Sequence, residues 1–405
     1  GRQGRVYPPV AMPSILATVT GPDRPGITAG LLSALAASDA EVLDMEQVVL
    51  RGRLHLGIEF SAPEGTGVIK DLLYLGWQQG VQVAFEVLDD GAVPPVGAGR
   101  HVVSVIGHRL AAGDLGAVTE AIAGAGANID RIHHLAQYPV RAYEFEVEGG
   151  DGEGLRTAVL AAAIDRPIDV AVQRQRLERR AKRLVVMDVD STLITDEVID
   201  LLAEEAGVGE QVAKVTAAAM AGELDFAEAL AARVALLEGL PLERLEAVWQ
   251  RITLTPGART FVRTVRRLGY EVAIVSGGFS YFTDRLRDEL DLDHAHANVL
   301  EVVDGRLTGR VVGDVVDSAG KADLLAHIAD HAGVPLEQTV AIGDGANDLA
   351  MLAAAGLGIA FNAKPVVAEA ADTAVNVPYL DAVLFLLGIR RTEVEEVPGA
   401  DGPPV

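Results

Sequence analysis

Cysteine is absent from this chain of 405 residues, which excludes disulfides, thiolate nucleophiles and thiolate metal sites and leaves oxygen ligands with a hard cation as the natural metal chemistry. Positive charge is scarce too. Thirty-four Lys and Arg face 58 Asp and Glu, a net charge of −24 that argues against a nucleic-acid partner, because such binding relies on clustered cations neutralising phosphates. The lysines are Lys70, Lys182, Lys214, Lys321 and Lys364, so a lysine at a chemically useful place carries information. Aromatic residues make up only 4% of the chain, so its hydrophobic fraction of 49% is inflated by alanine. No apolar run approaches the roughly 18 residues that span a bilayer, and no charged-then-apolar leader opens the sequence. The expectation is a cytoplasmic protein with no membrane partner, divided into about two to four domains.

An internal repeat organises the first 170 or so residues. A shift of 87 places Ile15–Val19 on Val102–Ile106, Gly26 on Gly113, Leu35 on Ile122 and Val42 on Ile129. Each copy reads strand, helix, two strands, helix, strand, the ferredoxin-like βαββαβ unit. The first copy is placed at 14–90 and the second at 100–173, joined by the Pro/Gly linker GAVPPVGAG at 91–99. The basic run QRQRLERRAK at 173–182 reads as a solvated helix face, and the end of the chain, 392–405, as a disordered tail.

Over 183–391 the pattern alternates strand and helix, which predicts a doubly wound parallel α/β sheet. Strands are expected near 183–188, 271–275, 338–342 and 356–361. The stretch 196–254 is almost wholly helical in pattern and reads as a cap inserted after the first strand. The Asp-Gly pair within 302–312 signals a hairpin.

The first of these strands runs into DVDST at 188–192. Alternate residues of extended chain point the same way, so Asp188 and Asp190 are placed as a nucleophile facing a phosphoryl group and an acid that protonates the leaving alkoxide. An anion attacking an anion needs neutralising partners. Asp344, at the end of another expected strand in GDGANDLAM, supplies a carboxylate for Mg²⁺, with Asn347 and Asp348 on the following turn. Ser276, closing a strand, offers its hydroxyl and the N–H groups of Gly277 and Gly278 to phosphate oxygens, and Lys321 balances charge on the phosphoryl group and Asp188.

The combination of DVDST, SGGF, GK and GDGANDLAM resembles the haloacid dehalogenase superfamily of phosphohydrolases, and within it the phosphoserine phosphatases that carry tandem ACT domains. The resemblance covers nearly the whole chain. It implies Asp188 as nucleophile, Asp190 as general acid and then base, Ser276 and Lys321 on phosphate, and Mg²⁺ held by Asp188, Asp344 and the main-chain carbonyl of Asp190, with Asp348 behind. It implies, too, that Glu197 holds the ammonium and Arg233 the carboxylate of phosphoserine, beside an apolar lining of Met220 and Phe226. Met187 departs from the pattern, since many relatives carry an aromatic residue there. The repeats resemble ACT domains, small-ligand sensors, which implies an amino acid effector such as L-serine near Asp23, Gly26 and Asn128, and a homodimer or higher homo-oligomer. The turn TGPDRPG at 20–26 fits that pattern, whereas IGHRLAAG at the aligned place departs from it. Two other readings stay open at this level: a phosphatase of another small phosphomonoester, and an amino-acid-sensing protein with reduced catalytic activity.

Overall fold

In a computed structural model the described residues are 14–63, 67–88, 99–175, 179 and 181–395. The linker expected at 91–99 and the tail beyond 395 fall almost wholly outside them. The chain divides into two compact units, Gly1–Gly97 and Ala98–Val405.

The first unit contains β1 (Ser14–Pro22), β2 (Glu41–Leu50), β3 (Arg53–Ser61) and β4 (Gln82–Leu88), with helices Ile27–Ala37 and Val68–Gln79. The sheet order is β2-β3-β1-β4 and every pairing is antiparallel. β3 alternates exposed and buried side chains, as a half-covered sheet must, and Leu54, Leu56, Ile58 and Phe60 pack with Leu31, Leu35 and Leu72 of the two helices. β2 lies at an edge and all ten of its residues are exposed.

The second unit opens on the second copy: β5 (Arg100–Gly107), β6 (Ala127–Ala136), β7 (Arg141–Gly149) and β8 (Asp169–Arg174), in the order β6-β7-β5-β8. It continues into a seven-stranded sheet ordered β12-β11-β10-β9-β13-β14-β15. Its strands are β9 (Leu184–Met187), β10 (Glu271–Phe279), β11 (His294–Val303), β12 (Arg306–Val312), β13 (Thr339–Gly343), β14 (Gly358–Phe361) and β15 (Thr373–Val375). All neighbours are parallel except the hairpin β11–β12. β15 and the pairing of β11 were not expected. Both strands take few sequence cues: β15 spans three residues, and β11 alternates too weakly to reveal its parallel partner.

β9 is central, and all four of its residues are buried, which is why it reads as a continuous apolar run. From β9 the chain first extends the sheet toward β10 and later returns to β13 on the other side. The carboxyl end of β9 is therefore a topological switch point, where open α/β sheets bind ligands. Over 196–254 four helices, Val198–Ala206, Gly209–Met220, Phe226–Ala235 and Leu242–Trp249, form the inserted cap. Asp225 starts the third through a reciprocal capping box with Glu228, at 2.8 and 3.0 Å. The β11–β12 hairpin braces the cap through Gly239 N–H to the Leu307 carbonyl at 2.8 Å.

Two readings of the sequence need correction. The described residues of the basic segment are not all on a solvated face: Arg174 is exposed, but Arg179 and Lys182 are buried, Arg179 pairing with Glu144 and Lys182 donating to the carbonyls of Glu337 and Thr339 at 2.6 and 3.2 Å. The tail expected from 392 begins inside a short helix, Arg391–Glu395, whose Arg391 is buried against Asp381 at 2.6 Å. Charge runs look solvated in one dimension; here the second repeat packs on the α/β domain, and Glu144 of the repeat together with the Glu337 and Thr339 carbonyls of the α/β domain supply the partners. That packing is itself apolar at its centre, since Ile106, Leu135, Ala136, Val140, Ala142 and Ala171 belong to the same buried cluster as Leu380 and Leu384.

Candidate active site

Asp188 follows β9 and is 4% exposed, its N–H given to the Ile342 carbonyl of β13 at 2.9 Å. Its Oδ1 accepts from Val189 N–H at 2.7 Å and meets Lys321 Nζ at 2.8 Å. Both contacts fall on Oδ1, so the second oxygen is left for other chemistry. The chain then turns sharply, with Ser191 at φ 56°, a backbone region that side chains other than glycine enter at a cost of order 1 kcal/mol. That turn brings Asp190 and Glu197 to the same side. Asp190 accepts from Val198 N–H at 2.8 Å and from Ser276 Oγ at 3.3 Å, while Glu197 accepts from Ser191 Oγ at 2.7 Å.

Ser276 Oγ in turn accepts from Gly278 N–H at 2.8 Å, at the end of β10. Glycine is required beside it by space. A Cβ on Gly277 would lie 2.8 Å from Cζ of Phe226, so the cap seats directly on this turn. Lys321 is fully buried at the start of helix Ser318–His331 and reaches a second carboxylate, Asp348 Oδ1, at 2.6 Å. Asp348 also accepts from Gly345 N–H at 2.9 Å, which closes the GDGAND turn, and Asp344 accepts from Thr192 Oγ1 at 3.3 Å.

Carboxylate oxygens of Asp188, Asp344 and Asp348 all lie within 4.8 Å of one another, and one ammonium stands against the three. The imbalance shows in their titration. Burial pushes Asp188 well above the usual carboxylate range and Asp348 adds to it, against the pull of Lys321. Asp344 is raised to about 7 by burial, Asp348 and Glu197. Lys321 loses by burial but gains more from Asp188 and Asp348, so its ammonium is held firmly. An all-oxygen set with surplus negative charge suits a hard divalent cation. Asp190 is raised to about 6, first by burial and then by Glu197, which makes it an acid able to exchange its proton near neutrality.

These groups open into a cleft of about 600 Å³ between sheet and cap. Asp188, Asp190, Asp344 and Asn347 line it below, and Glu197, Phe226 and Arg233 from the cap side, with Gly277 and Gly278 between. Arg233 donates Nε–H to the Ala229 carbonyl at 3.2 Å; burial lowers its pKa, while Asp200, Glu197 and Asp190 pull the other way. Ser276 and Lys321 lie buried among the residues beneath the cleft. Met220 ends the second cap helix, and its side chain lies outside the described residues. Thr216 and Lys364 also line the cleft; sequence reading missed them, because neither stands in a motif and only the rotation of a helix or loop brings them there.

The candidate effector residues are not gathered within a unit. Asp23 and Gly26 belong to the first, where Gly26 precedes helix Ile27–Ala37 at φ 94°, and Asn128 belongs to the second, exposed on β6. Among the described residues no helix is long and apolar enough to cross a membrane.

A buried aspartate at the switch point, a lysine bridging two carboxylates and a capped α/β domain define a hydrolase of the haloacid dehalogenase type. The sequence pattern of haloacid dehalogenase-like hydrolases matches residues 185–353, and that of ACT domains matches 14–86 and 99–173. A phosphoserine phosphatase of Streptomyces coelicolor is 56% identical over 95% of this chain and 94% of its own length. One of Mycobacterium tuberculosis is 49% identical over 96% of each chain. A solved haloacid dehalogenase family hydrolase from Salmonella enterica serovar Typhi superposes with a TM-score of 0.63 at 29% identity, covering 71% of this chain and 98% of that one. The chain belongs to the phosphoserine phosphatase family of haloacid dehalogenase-like hydrolases, with two ACT domains ahead of the hydrolase domain.

Proposed function

We propose that this chain hydrolyses O-phospho-L-serine to L-serine and phosphate through an aspartyl phosphate on Asp188, with Mg²⁺ as cofactor, as the cytoplasmic last step of serine biosynthesis. The observation that carries the substrate is the pair of opposite charges on the cap side of the cleft, Glu197 and Arg233, which share it with the turn of Gly277 and Gly278. A phosphorylated amino acid offers an ammonium to the first and a carboxylate to the second, and a planar guanidinium grips a carboxylate through two parallel bonds. The names of the two relatives above agree.

In this mechanism Asp188 attacks phosphorus, the ester P–O bond breaks, and Asp190 gives its proton to the departing serine oxygen. Asp190, now ionised, takes a proton from water, whose oxygen displaces Asp188 and releases phosphate. Ser276, the glycine N–H groups and Lys321 hold the phosphoryl oxygens through both steps. Bound Mg²⁺ supplies charge neutralisation at the phosphoryl group; Asp188, Asp344 and the Asp190 carbonyl would hold it, with Asp348 fixing Lys321 behind them. Asn347 completes the phosphate side of the cleft, and Phe226 its apolar wall.

The ACT domains we assign to an amino acid effector, L-serine, near Asp23, Gly26 and Asn128, in a homodimer or higher homo-oligomer. Supporting this, β2 is an edge strand among the described residues and exposes Val42, Leu43, Met45 and Val48, a surface on which a second copy can pair. The test is phosphate release from a substrate panel, with Mg²⁺ or chelator and with or without serine. Phosphoserine is expected to exceed phosphothreonine and simple aryl phosphates in kcat/KM, with no turnover in chelator. Equal rates on all three overturn the substrate assignment.

A further inference from the structure

A second cavity, of about 630 Å³, lies in the seam where the second ACT domain meets the hydrolase domain. Its charge is opposite to that of the molecule. Arg156, Arg174, Arg179 and Lys182 line it against only Glu337 and Asp372, in a chain whose net charge is −24. The seam is a fixed piece of architecture, for Asp169 of β8 accepts both the N–H and the side-chain amide of Asn376 at 2.8 and 2.7 Å, and Thr373 Oγ1 donates to the Val170 carbonyl at 3.1 Å. The cavity is therefore a preformed one, of the size that small ligands occupy.

Two of its arginines, Arg156 and Arg174, are held without a carboxylate partner among the described residues, whereas Arg179 is paired with Glu144. Arg156 gives Nη2 to the carbonyls of Ala371 and Asp372, at 2.8 and 3.3 Å, which orients the guanidinium but leaves its charge. Asp372 spends its carboxylate on Gly358 N–H at 2.9 Å. Arg174 is exposed on β8 and makes no side-chain bond among the described residues. Two further donors, Arg156 Nε and Arg179 Nε, are buried with no acceptor among the described residues, an arrangement that is costly unless an acceptor arrives. Guanidinium groups presenting several N–H bonds match the geometry of oxyanions.

We propose that this seam cavity is a binding site for a small oxyanion-bearing metabolite, a phosphoryl or carboxylate compound, distinct from the catalytic cleft. Such a ligand would touch both domains at once, on the hydrolase side beside Glu337 and Gln338, just before β13, the strand whose far end carries Asp344.

The test is calorimetric titration of the full chain with inorganic phosphate and, separately, with malonate, in wild type, Arg174→Gln and Arg156→Gln. Arg174→Gln removes no side-chain bond among the described residues, so its fold is expected to be intact, and both variants should keep turnover because neither residue lines the catalytic cleft. The expected result is binding in wild type that weakens by about tenfold or more in each variant, as loss of a charge-assisted bond implies. Phosphate alone responding assigns a phosphoryl ligand, malonate alone a carboxylate, and both a site that reads charge and shape. Binding of neither anion, or isotherms unchanged in both variants, as for phosphate held only in the catalytic cleft, overturns the proposal.

Discussion

At the scale of single residues the site is a store of unbalanced charge. Asp344 has its pKa raised to about 7 and Asp190 to about 6, both first by burial, so each ionised carboxylate opposes folding in the metal-free protein. The contribution of such a group is fully present below its unfolded pKa, near 4, and is lost as pH rises through the folded value. Metal-free protein is therefore expected to melt at a lower temperature at pH 8 than at pH 5, and Mg²⁺ to raise the melting temperature at pH 8 by mass action. Asp344→Asn should flatten the metal-free difference and abolish much of the Mg²⁺ response; calorimetric scans with and without chelator check both. Turnover is predicted to fall by about 10⁴-fold or more in Asp188→Asn, because the amide keeps the shape and loses the nucleophile. Near wild-type rates in that variant, supplied with Mg²⁺, would exclude the covalent route.

At the scale of elements the cap decides specificity. Arg233→Lys, on helix Phe226–Ala235, is expected to lower kcat/KM for phosphoserine by about 10- to 150-fold while sparing an aryl phosphate, which has no carboxylate to lose. Equal losses on both substrates would assign Arg233 to the phosphate or to the fold. Gly277→Ala sets a methyl against the Phe226 ring, so the ring must move, and KM for phosphoserine should rise with little change in melting temperature. The strands that carry the chemistry were legible because each is a short apolar run stopped by a loop with an acid, a hydroxyl or a glycine: Leu184–Met187 before Asp188, Thr339–Gly343 before Asp344. The repeat was legible because both copies keep apolar residues at the same places. Thr216 and Lys364 were not, since lining a cleft depends on how a helix is turned in three dimensions. Arg179 and Lys182 were misread for the same reason: their partners, Glu144 and the carbonyls of Glu337 and Thr339, come from distant sequence.

At the scale of the whole molecule the two ACT domains differ in where their apolar residues are buried. The second shares its buried apolar cluster, through Ile106, Leu135, Val140 and Ala142, whereas the first has a core of its own. Full burial of one such side chain contributes about 1.5–3 kcal/mol, so several together are a large part of a domain's net stability. A chain beginning at residue 98 is expected to retain turnover and melting temperature, and one beginning at 183 to melt several degrees lower or aggregate. Equal stability of the two would show that the shared cluster contributes little.

The central claim, covalent catalysis on phosphoserine at Asp188, is tested most directly by acid-quenching the full chain within a single turnover of phosphoserine labelled with ³²P, in the presence of Mg²⁺. The account predicts label bound to protein, released by hydroxylamine as an acyl phosphate, mapping to the peptide that carries Asp188 and absent from Asp188→Asn. Rapid release of labelled phosphate with no labelled protein at any quench time, or label on another residue, would contradict it.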